Sequence, residues 1–458
     1  MKKYIFIIFF ILWQVLPASA TLSTTEEKKL GEKFFVEVKK FLPLIDDPII
    51  NNYINELGQS LITQLPSKSF DYHFYVIDDP TLNAFAGPAG YVFIYRGLFL
   101  AFENEDELAG VFAHECGHVI CRHIAERLES SKKISIATLL AILVGGIITR
   151  SPQASQAIAT TAMGAGTALS LSYSREDEEE ADRTGLKLVS GAGYNSKGTV
   201  TAFKKLARLS LESGGEIPAY LLTHPALPQR ITYLEQAMKS APYRNIDRDQ
   251  TKFRIAHVRL RALYTDVDSA SRFFSASIRE NSQDFINYYG LGLCAVRKRD
   301  WQDAAANFKK TLSFKPDEPI ILRELGISYF HLNKFSSTIS ILKKLPQDAQ
   351  SLFYLGRAYQ EQGSIDEAIS SWKRCIKIDP DYSMAYYYLA RTYADLPVAV
   401  AALNNPDPGQ KAWSHYYLGI YFRLEGKPSQ ANYHFKKALS LARDEDLKRK
   451  LRQILNEK

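Results

Sequence analysis

The sequence predicts a mainly α protein, in which an α+β domain with a small β-sheet is followed by an all-α solenoid of repeats. Three observations support this fold class. Apolar residues recur at helical spacing along most of the chain, two short runs within residues 70–97 are β-rich, and a motif returns every 29–34 residues after Pro242.

The length and composition indicate a globular protein of more than one domain. The chain has 458 residues, of which 46% are hydrophobic and 23% charged, whereas a single core rarely grows beyond about 250–300 residues. The formal net charge is +7, and the sequence has no block of basic residues of the kind that binds nucleic acid. We therefore expect no nucleic-acid partner.

The first residues have the pattern of a secretory signal. The letters MKK precede an apolar run that ends near Val15, and Ala18 and Ala20 fit the small-x-small cleavage pattern. We predict a signal peptide over residues 1–20 and a mature chain that begins at Thr21. An uncleaved anchor is the alternative, although the apolar run is short for a membrane span.

Two amphipathic helices and then two strands are predicted before residue 100. The stretch TTEEKKLGEKFFVEVKKFL has a threonine cap and an acidic first turn, and DPIINNYINELGQSLI begins with Asp-Pro. The period then changes, because FDYHFYVID and GYVFIYRG are short and β-rich, with NAFAGPAG as a connection between them. We predict two strands of a small sheet, with the second, Tyr91–Tyr95, at an edge.

The next helix, NEDELAGVFAHECGHVICRHIAERLE, carries candidate metal ligands. Asn104 and Glu107 form a capping-box-like start. His114 and His118 are four residues apart, so both imidazoles lie on one helical face and can reach one ion. Glu115 lies about 100° round the helix, where it can reach a water without binding the metal. This HExxH pattern places two ligands and a general base on one helix.

Helical geometry sets the other candidates of this stretch aside. On one continuous helix, His123 lies about 180° from His114, and Cys116 also faces away. Cys121 is closer to His114 in angle round the helix, but it lies about 10 Å from His114 along the helix axis. We therefore expect none of His123, Cys116 and Cys121 to bind this metal, and His123 to be structural or exposed.

The acidic stretch SYSREDEEEADRTG offers the third ligand that two histidines need. On a second predicted helix, Glu178 and Asp182 are four residues apart on one face. Glu178 is placed to bind the metal, and Asp182 to accept the free N–H of a ligating histidine. A solvated acidic face is the alternative for this stretch alone. A metzincin is excluded because Ile124 stands where that class has histidine.

An apolar stretch separates the two metal-binding motifs. Residues 134–149 number 16, fewer than the about 20 that a membrane span needs. We therefore expect a buried or interfacial helix there. From their position alone, residues 134–172 are hypothesised to form a lid or a flap that touches a membrane.

The C-terminal part of the chain contains an internal repeat of paired residues. The recurring pairs are Leu291-Gly292, Leu325-Gly326, Leu355-Gly356, Leu418-Gly419 and the weaker Leu389-Ala390. This repeat resembles the tetratricopeptide repeat, a pair of antiparallel helices per unit, over roughly residues 285–442. The resemblance implies a solenoid whose concave face binds peptides or proteins, with a packing module without a ligand as the alternative.

The metal-binding motifs together resemble a known family, the gluzincins of the CAAX prenyl protease and the heat-shock protease HtpX. The similarity rests on the HExxH motif, NEDEL before it, SRxxExEAD from Ser174 to Asp182, and NAFA. It implies one Zn²⁺ per chain, with Glu178 as the third ligand beside His114 and His118, and Asp182 as the partner behind the ligands.

A later segment, His224-Pro225 with Arg230 beyond it, resembles the His-Pro…Arg segment of the same family. The resemblance implies that His224 stabilises the oxyanion or closes the site as a reversible fourth ligand. It also implies that Arg230 contacts substrate. An ordinary helix start is the alternative for both residues.

Four regions are therefore predicted along the chain. They are the signal peptide (1–20), a zincin-type zinc metallopeptidase domain (21–245), a helical linker (246–284) and a tetratricopeptide-repeat domain (285–458).

The resemblance, the signal and the repeats together imply a zinc-dependent endopeptidase of the bacterial periplasm. Its substrates would be unfolded or misassembled outer-membrane proteins, whose assembly it also assists, and its repeats would dock on the barrel assembly machinery of the outer membrane. Tyr91–Tyr95 is expected to hold an extended substrate by β-augmentation, with an ordinary hydrophobic strand as the alternative. A periplasmic protein of this kind is compatible with association with the outer membrane and with peripheral membrane contact.

Two other functions are weighed against this one. The first is a chaperone or scaffold for outer-membrane protein assembly with little proteolysis. The second, a structural zinc protein, is poorly supported because structural sites usually close with four cysteine and histidine ligands.

Overall fold

The computed structural model describes residues 22–130, 136–143, 172–212, 218–240, 248–395 and 408–456. It confirms a mainly α fold with one small sheet. The chain divides into two compact units between Tyr264 and Thr265. The range 246–284, predicted as a linker, therefore contains one helix of each unit. The predicted signal peptide and most of the predicted lid lie outside the described residues.

The first unit is built from helices around a small sheet. Ser23, and not the predicted threonine, caps the first helix, and Asn104 caps the helix of the HExxH motif by accepting the N–H of Glu107 at 3.0 Å. The helices are α1 (Thr24–Phe41), α2 (Pro48–Ile62), α3 (Arg96–Ala101), α4 (Glu105–Ile120), α5 (His123–Ser130), α6 (Ile136–Leu143), α7 (Arg175–Gly191), α8 (Lys197–Glu212), α9 (Ala219–Thr223), α10 (Leu227–Ser240) and α11 (Thr251–Tyr264).

Three strands form the sheet in the order β1-β3-β2. β1 (His73–Ile77) pairs in parallel with β3 (Tyr91–Tyr95), and β2 (Ala84–Ala86) pairs antiparallel with β3 on its other side. The prediction that Tyr91–Tyr95 lies at an edge is wrong, because NAFA forms part of a third strand beside it. A strand of three residues is too short to show an alternating pattern, so the sequence does not reveal β2.

Helices α4 and α7 cross in backbone contact, and this contact brings the two motifs together. A Cβ atom at Gly117 would lie 2.5 Å from the carbonyl oxygen of Ala181, and one at Gly185 would lie 3.0 Å from the backbone nitrogen of His114. Only glycine allows so close an approach. As a result, the histidines of α4 face the carboxylates of α7.

The helix predicted to run on from Asn104 is interrupted. α4 ends at Ile120, Arg122 has a φ of 61°, and α5 begins at His123. The side chain of Arg122 donates two hydrogen bonds to a carboxylate oxygen of Glu27, of 3.1 and 2.9 Å. Because the chain turns here, His123 points back toward the metal motif, and the expectation that it faces away is wrong.

The apolar stretch between the motifs is described only in part. α6 is helical, and its Leu139, Leu140 and Leu143 are buried, as expected of a buried helix. The rest of residues 134–149 lies outside the described part of the chain. No helix among the described residues is long and apolar enough to cross a membrane.

The second unit consists of helix pairs, in agreement with the predicted repeats. A Cβ at Gly356 would lie 2.5 Å from Trp372 and one at Gly419 2.4 Å from Phe435, so the small residue makes room for the aromatic ring. Its helices are α12 (Val267–Glu280), α13 (Phe285–Arg297), α14 (Trp301–Leu312), α15 (Pro319–His331), α16 (Phe335–Leu342), α17 (Ala349–Glu361), α18 (Ile365–Ile378), α19 (Ser383–Asp395), α20 (Pro408–Leu424), α21 (Pro428–Leu441) and α22 (Glu445–Asn456).

Candidate metal centre

The side chains of His114, His118, Glu178 and His224 converge inside the first unit. Each offers one ligand atom, and these atoms all lie within 4.8 Å of one another. The Nε2 of His114 lies 3.1 Å from the Nε2 of His118 and 3.3 Å from the Nδ1 of His224. All four residues are at most 1% exposed. Buried imidazoles and a carboxylate that share one point fit a divalent metal such as zinc.

His114 is oriented by a buried carboxylate. The Oδ1 of Asp182 lies 2.7 Å from the Nδ1 of His114. Burial raises the pKa of Asp182, but the charge of Arg230 and the contact with His114 outweigh it and leave the pKa below its ordinary value. The ionised Asp182 therefore accepts the Nδ1–H of His114, which directs the lone pair on Nε2 toward the convergence point.

Arg230 pairs with both buried carboxylates of α7. Its Nε and Nη2 donate to the two oxygens of Asp182 at 2.8 and 2.7 Å, and its Nη1 contacts the Oε2 of Glu178. Its guanidinium also lies 4.5 Å from the ring centroid of Phe203. Arg230 is 2% exposed, and its observed partners are groups of the centre itself, whereas its contact with substrate stays a prediction.

Glu115 lies beside the convergence point and is fully buried. Neither of its oxygens makes a well-formed hydrogen bond to a described residue, and the Nε2 of His224 lies 3.6 Å from its Oε1. Burial raises the pKa of Glu115 to about 7, against the opposing effect of His224. A carboxyl group in this setting can accept and return a proton.

His224 closes the far side of the cluster from the end of α9. Its Nδ1 lies 2.9 Å from the Oε1 of Glu178, and its ring stacks on that of Tyr220 at 4.4 Å. Burial lowers the pKa of His224 to about 3, which keeps the imidazole neutral. A neutral ring with one nitrogen at the convergence point and the other facing Glu115 can either bind a metal or donate a hydrogen bond.

His118 is oriented by a second histidine. Its Nδ1 lies 2.9 Å from the Nδ1 of His123, and the Nε2 of His123 lies 3.3 Å from the Oε2 of Glu180. The ring of Tyr173 stacks on His118 at 3.9 Å. Sequence reasoning missed the contact of His123 with His118, because no glycine or proline marks the helix break between Ile120 and His123.

The structure brings every predicted site residue into one cluster and adds aromatic neighbours that the sequence does not mark. Tyr173 and Tyr220 pack against His118 and His224 across long sequence distances, so no local pattern announces them. The predicted residues that meet here are His114, Glu115, His118, Glu178, Asp182, His224 and Arg230.

Comparison with known families agrees with this geometry. Residues 48–238 match peptidase family M48, and residues 346–396 match the TPR repeat. The first match includes every residue of the cluster, and the second lies within the predicted repeats.

Several relatives share these parts. The chain is 28% identical to the beta-barrel assembly-enhancing protease of Escherichia coli over 426 residues, which cover 90% of this chain and 84% of that protein. It is 30% identical to a putative beta-barrel assembly-enhancing protease of Vibrio cholerae, over 67% of this chain and 64% of the other. The mitochondrial metalloendopeptidase OMA1 of Arabidopsis thaliana is 32% identical over 37% of this chain and 32% of its own length.

Among solved structures, MamA from Desulfovibrio magneticus RS-1 covers 41% of this chain and 92% of its own. The two are 18% identical with a TM-score of 0.28, values too low to support an argument about function.

These matches confirm the predicted metallopeptidase and the predicted tetratricopeptide repeats, and they show that the chain is similar to beta-barrel assembly-enhancing proteases. The chain is therefore a metalloprotease with a domain similar to peptidase family M48, followed by tetratricopeptide repeats.

Proposed function

We propose that this protein is a zinc-dependent endopeptidase in which His114, His118 and Glu178 bind one Zn²⁺ per chain. The observation that supports this most strongly is the convergence of these buried ligand atoms on one point. Two imidazoles and one carboxylate form a typical ligand set of peptidase zinc sites, which keep a further position open for water or substrate.

Glu115 is proposed as the general base and acid. Zinc in such a site polarises the scissile carbonyl and lowers the pKa of water. Glu115 accepts a proton from the attacking water and passes it to the leaving amine. Its burial beside the ligands and its lack of well-formed hydrogen bonds support this role.

The remaining residues of the cluster are proposed to position these groups. Asp182 fixes the tautomer of His114, and Arg230 holds Asp182 and Glu178 by its charge. His224 acts as a reversible fourth ligand or stabilises the oxyanion. A His224→Ala variant separates these roles, because a lost ligand weakens zinc binding, whereas a lost oxyanion donor lowers kcat at unchanged zinc affinity.

The site of action proposed is the periplasm, reached through the predicted signal peptide over residues 1–20. The printed names of the relatives from Escherichia coli and Vibrio cholerae support a role in beta-barrel assembly. The substrates are then misassembled outer-membrane proteins, and the repeats dock on the outer-membrane assembly machinery. The helix pairs of the second unit support such docking, since arrays of this kind bind peptides and proteins.

A scaffold or chaperone with little proteolysis is the second candidate. The repeats of the second unit favour it, because they give the chain a binding surface that does not need the peptidase centre. Both functions fit one molecule, and they differ in whether Glu115 is required.

A Glu115→Gln variant tests the proposal. We expect wild-type protein to cleave casein, a chelator to stop cleavage, and the variant to lose activity by about 10²-fold or more while zinc stays bound. Glu103→Gln is the matched control, because Glu103 lies at the surface near the start of α4 and should keep full activity. Undiminished cleavage by Glu115→Gln would contradict the peptidase mechanism.

The same variant decides between the two candidates in cells. We expect Glu115→Gln to fail to clear misassembled outer-membrane proteins in a strain that lacks the wild-type gene. If it restores outer-membrane integrity as well as wild type does, the scaffold is the main role.

A further inference from the structure

A second group of potential ligands lies next to His118. Cys121, His123 and Glu180 offer a thiol, an imidazole and a carboxylate whose ligand atoms lie within 4.8 Å of one another. The side chain of His123 is 2% exposed and that of Glu180 is 65% exposed, so the group is buried at one end and open to solvent at the other. Cys121 is partly exposed, unlike the three other cysteines of the chain, which are buried.

The break between α4 and α5 builds this group. Cys121 is the C-cap of α4, and His123 is the first residue of α5. Arg122 between them adopts the left-handed conformation and is held there by Glu27. Because contacts from another helix fix the break, the thiol and the imidazole keep their places without relying on each other.

We propose that Cys121, His123 and Glu180 form a second metal site, which takes a divalent ion such as Zn²⁺ or Co²⁺ and weakens the first site when occupied. Thiolate, imidazole and carboxylate are all ligands of zinc, at about 2.0–2.3 Å from the metal, and water fills the remaining position. On binding, the thiol of Cys121 releases its proton to solvent, and His123 exchanges its Nε2 proton for one on Nδ1, so that the ring stays neutral.

The coupling rests on the proposed function, because it needs a metal on the Nε2 of His118. In that state the Nδ1 of His118 carries a proton and donates it to the Nδ1 of His123, 2.9 Å away. His123 then carries its own proton on Nε2, where the Oε2 of Glu180 accepts it at 3.3 Å. Each hydrogen bond is thus donated in the same direction, from His118 to His123 and from His123 to Glu180.

A metal on the Nε2 of His123 reverses this direction. The neutral ring must then carry its proton on Nδ1, so that two N–H groups of His118 and His123 face each other. One ring must turn or lose its contact, and His118 is the ring that also holds the first metal. Occupancy of the second site therefore loosens the first.

Cobalt titration of the metal-free full chain tests the proposal. The first site has only nitrogen and oxygen ligands, so the first equivalent should give weak visible bands without a thiolate-to-cobalt charge-transfer band. The second equivalent should add that band in the near ultraviolet. Cys121→Ser should abolish it and keep the visible bands, and Cys294→Ser, in the second unit, should keep both.

The coupling is measured on casein cleavage by zinc-loaded protein as more zinc is added. We expect excess zinc to inhibit wild type, and Cys121→Ser to need an about tenfold or greater zinc concentration for the same inhibition. A second equivalent without the thiolate band, or a band that survives Cys121→Ser, would overturn the site. Equal inhibition of both proteins would overturn the coupling. A thiolate band that saturates at one equivalent in wild type, with no cobalt bound by Cys121→Ser, would refute the first site alone.

Discussion

The two histidines on α4 are held in different ways. The Nδ1 of His114 faces the buried carboxylate of Asp182, which also accepts two hydrogen bonds from Arg230. The Nδ1 of His118 faces His123, a ring that continues to an exposed glutamate. Buried full charges therefore fix the first imidazole, whereas the second depends on a proton relay that reaches solvent. We infer that His114 is the rigid half of the centre and His118 the adjustable half.

Removing Arg230 should break the rigid half and have the largest effect. In Arg230→Leu the carboxylates of Asp182 and Glu178 stay buried without their cation, so the free energy of unfolding should fall by about 3–5 kcal/mol. Denaturant unfolding of the first unit measures this. Arg183→Leu is the control, since it removes only an exposed pair with Glu179 worth at most about 1 kcal/mol. Equal losses in the two variants would contradict the rigid-half account.

Asp182→Asn should weaken metal binding without removing a ligand. The amide can present its N–H to His114, which then loses the tautomer that directs Nε2 to the metal. We expect the zinc affinity to fall roughly 10- to 100-fold, as measured by competition with a chelator. Glu179→Gln, at the surface of the same helix, should leave the affinity unchanged. An affinity for Asp182→Asn equal to wild type would sink the proposed role of Asp182.

Changes at His123 should have a smaller effect than those at Asp182. His123→Ala removes the acceptor for the Nδ1–H of His118, and we expect the zinc affinity to fall by about tenfold. His123→Gln should recover part of this loss, because its amide oxygen can accept the same hydrogen bond. The same competition with a chelator measures both variants. A zinc affinity lower in His123→Ala than in Asp182→Asn would mean that His118, and not His114, is the more tightly constrained ligand.

The smallest effect is expected at Glu180. Its carboxylate is mostly exposed, so Glu180→Gln should change the zinc affinity of the first site by no more than about fivefold. Isothermal titration with one equivalent of zinc can resolve this. A loss as large as that of Asp182→Asn would mean that the relay from His118 is as rigid as the ion pairs behind His114.

Periodicity alone predicts much of the centre. The four-residue spacings of His114 and His118, and of Glu178 and Asp182, place each pair on one face of a helix. The structure then brings the two faces together through close backbone contact at Gly117 on α4 and Gly185 on α7. What periodicity does not supply is the crossing itself, which depends on backbone contact between segments about 60 residues apart.

The failures of the sequence reasoning have tertiary causes. Continuous helical geometry predicts the wrong face for His123, because the break at Arg122 is held by Glu27, a residue from the first helix. The strand Tyr91–Tyr95 lies in the middle of the sheet because Ala84–Ala86 pairs with it over only three residues. The ion pairs of Arg230 likewise join separate helices. None of these contacts leaves a local pattern in the chain.

The central claim is that His114, His118 and Glu178 hold one zinc ion. The most direct test is the zinc content of wild type, Glu178→Gln and the control Glu176→Gln, each dialysed against a weak chelator and measured by plasma mass spectrometry. Glu176 lies exposed one turn or less from Glu178 on the same helix. We predict one zinc per chain in wild type and Glu176→Gln, and almost none in Glu178→Gln. Stoichiometric zinc in Glu178→Gln, or none in wild type, would contradict the account.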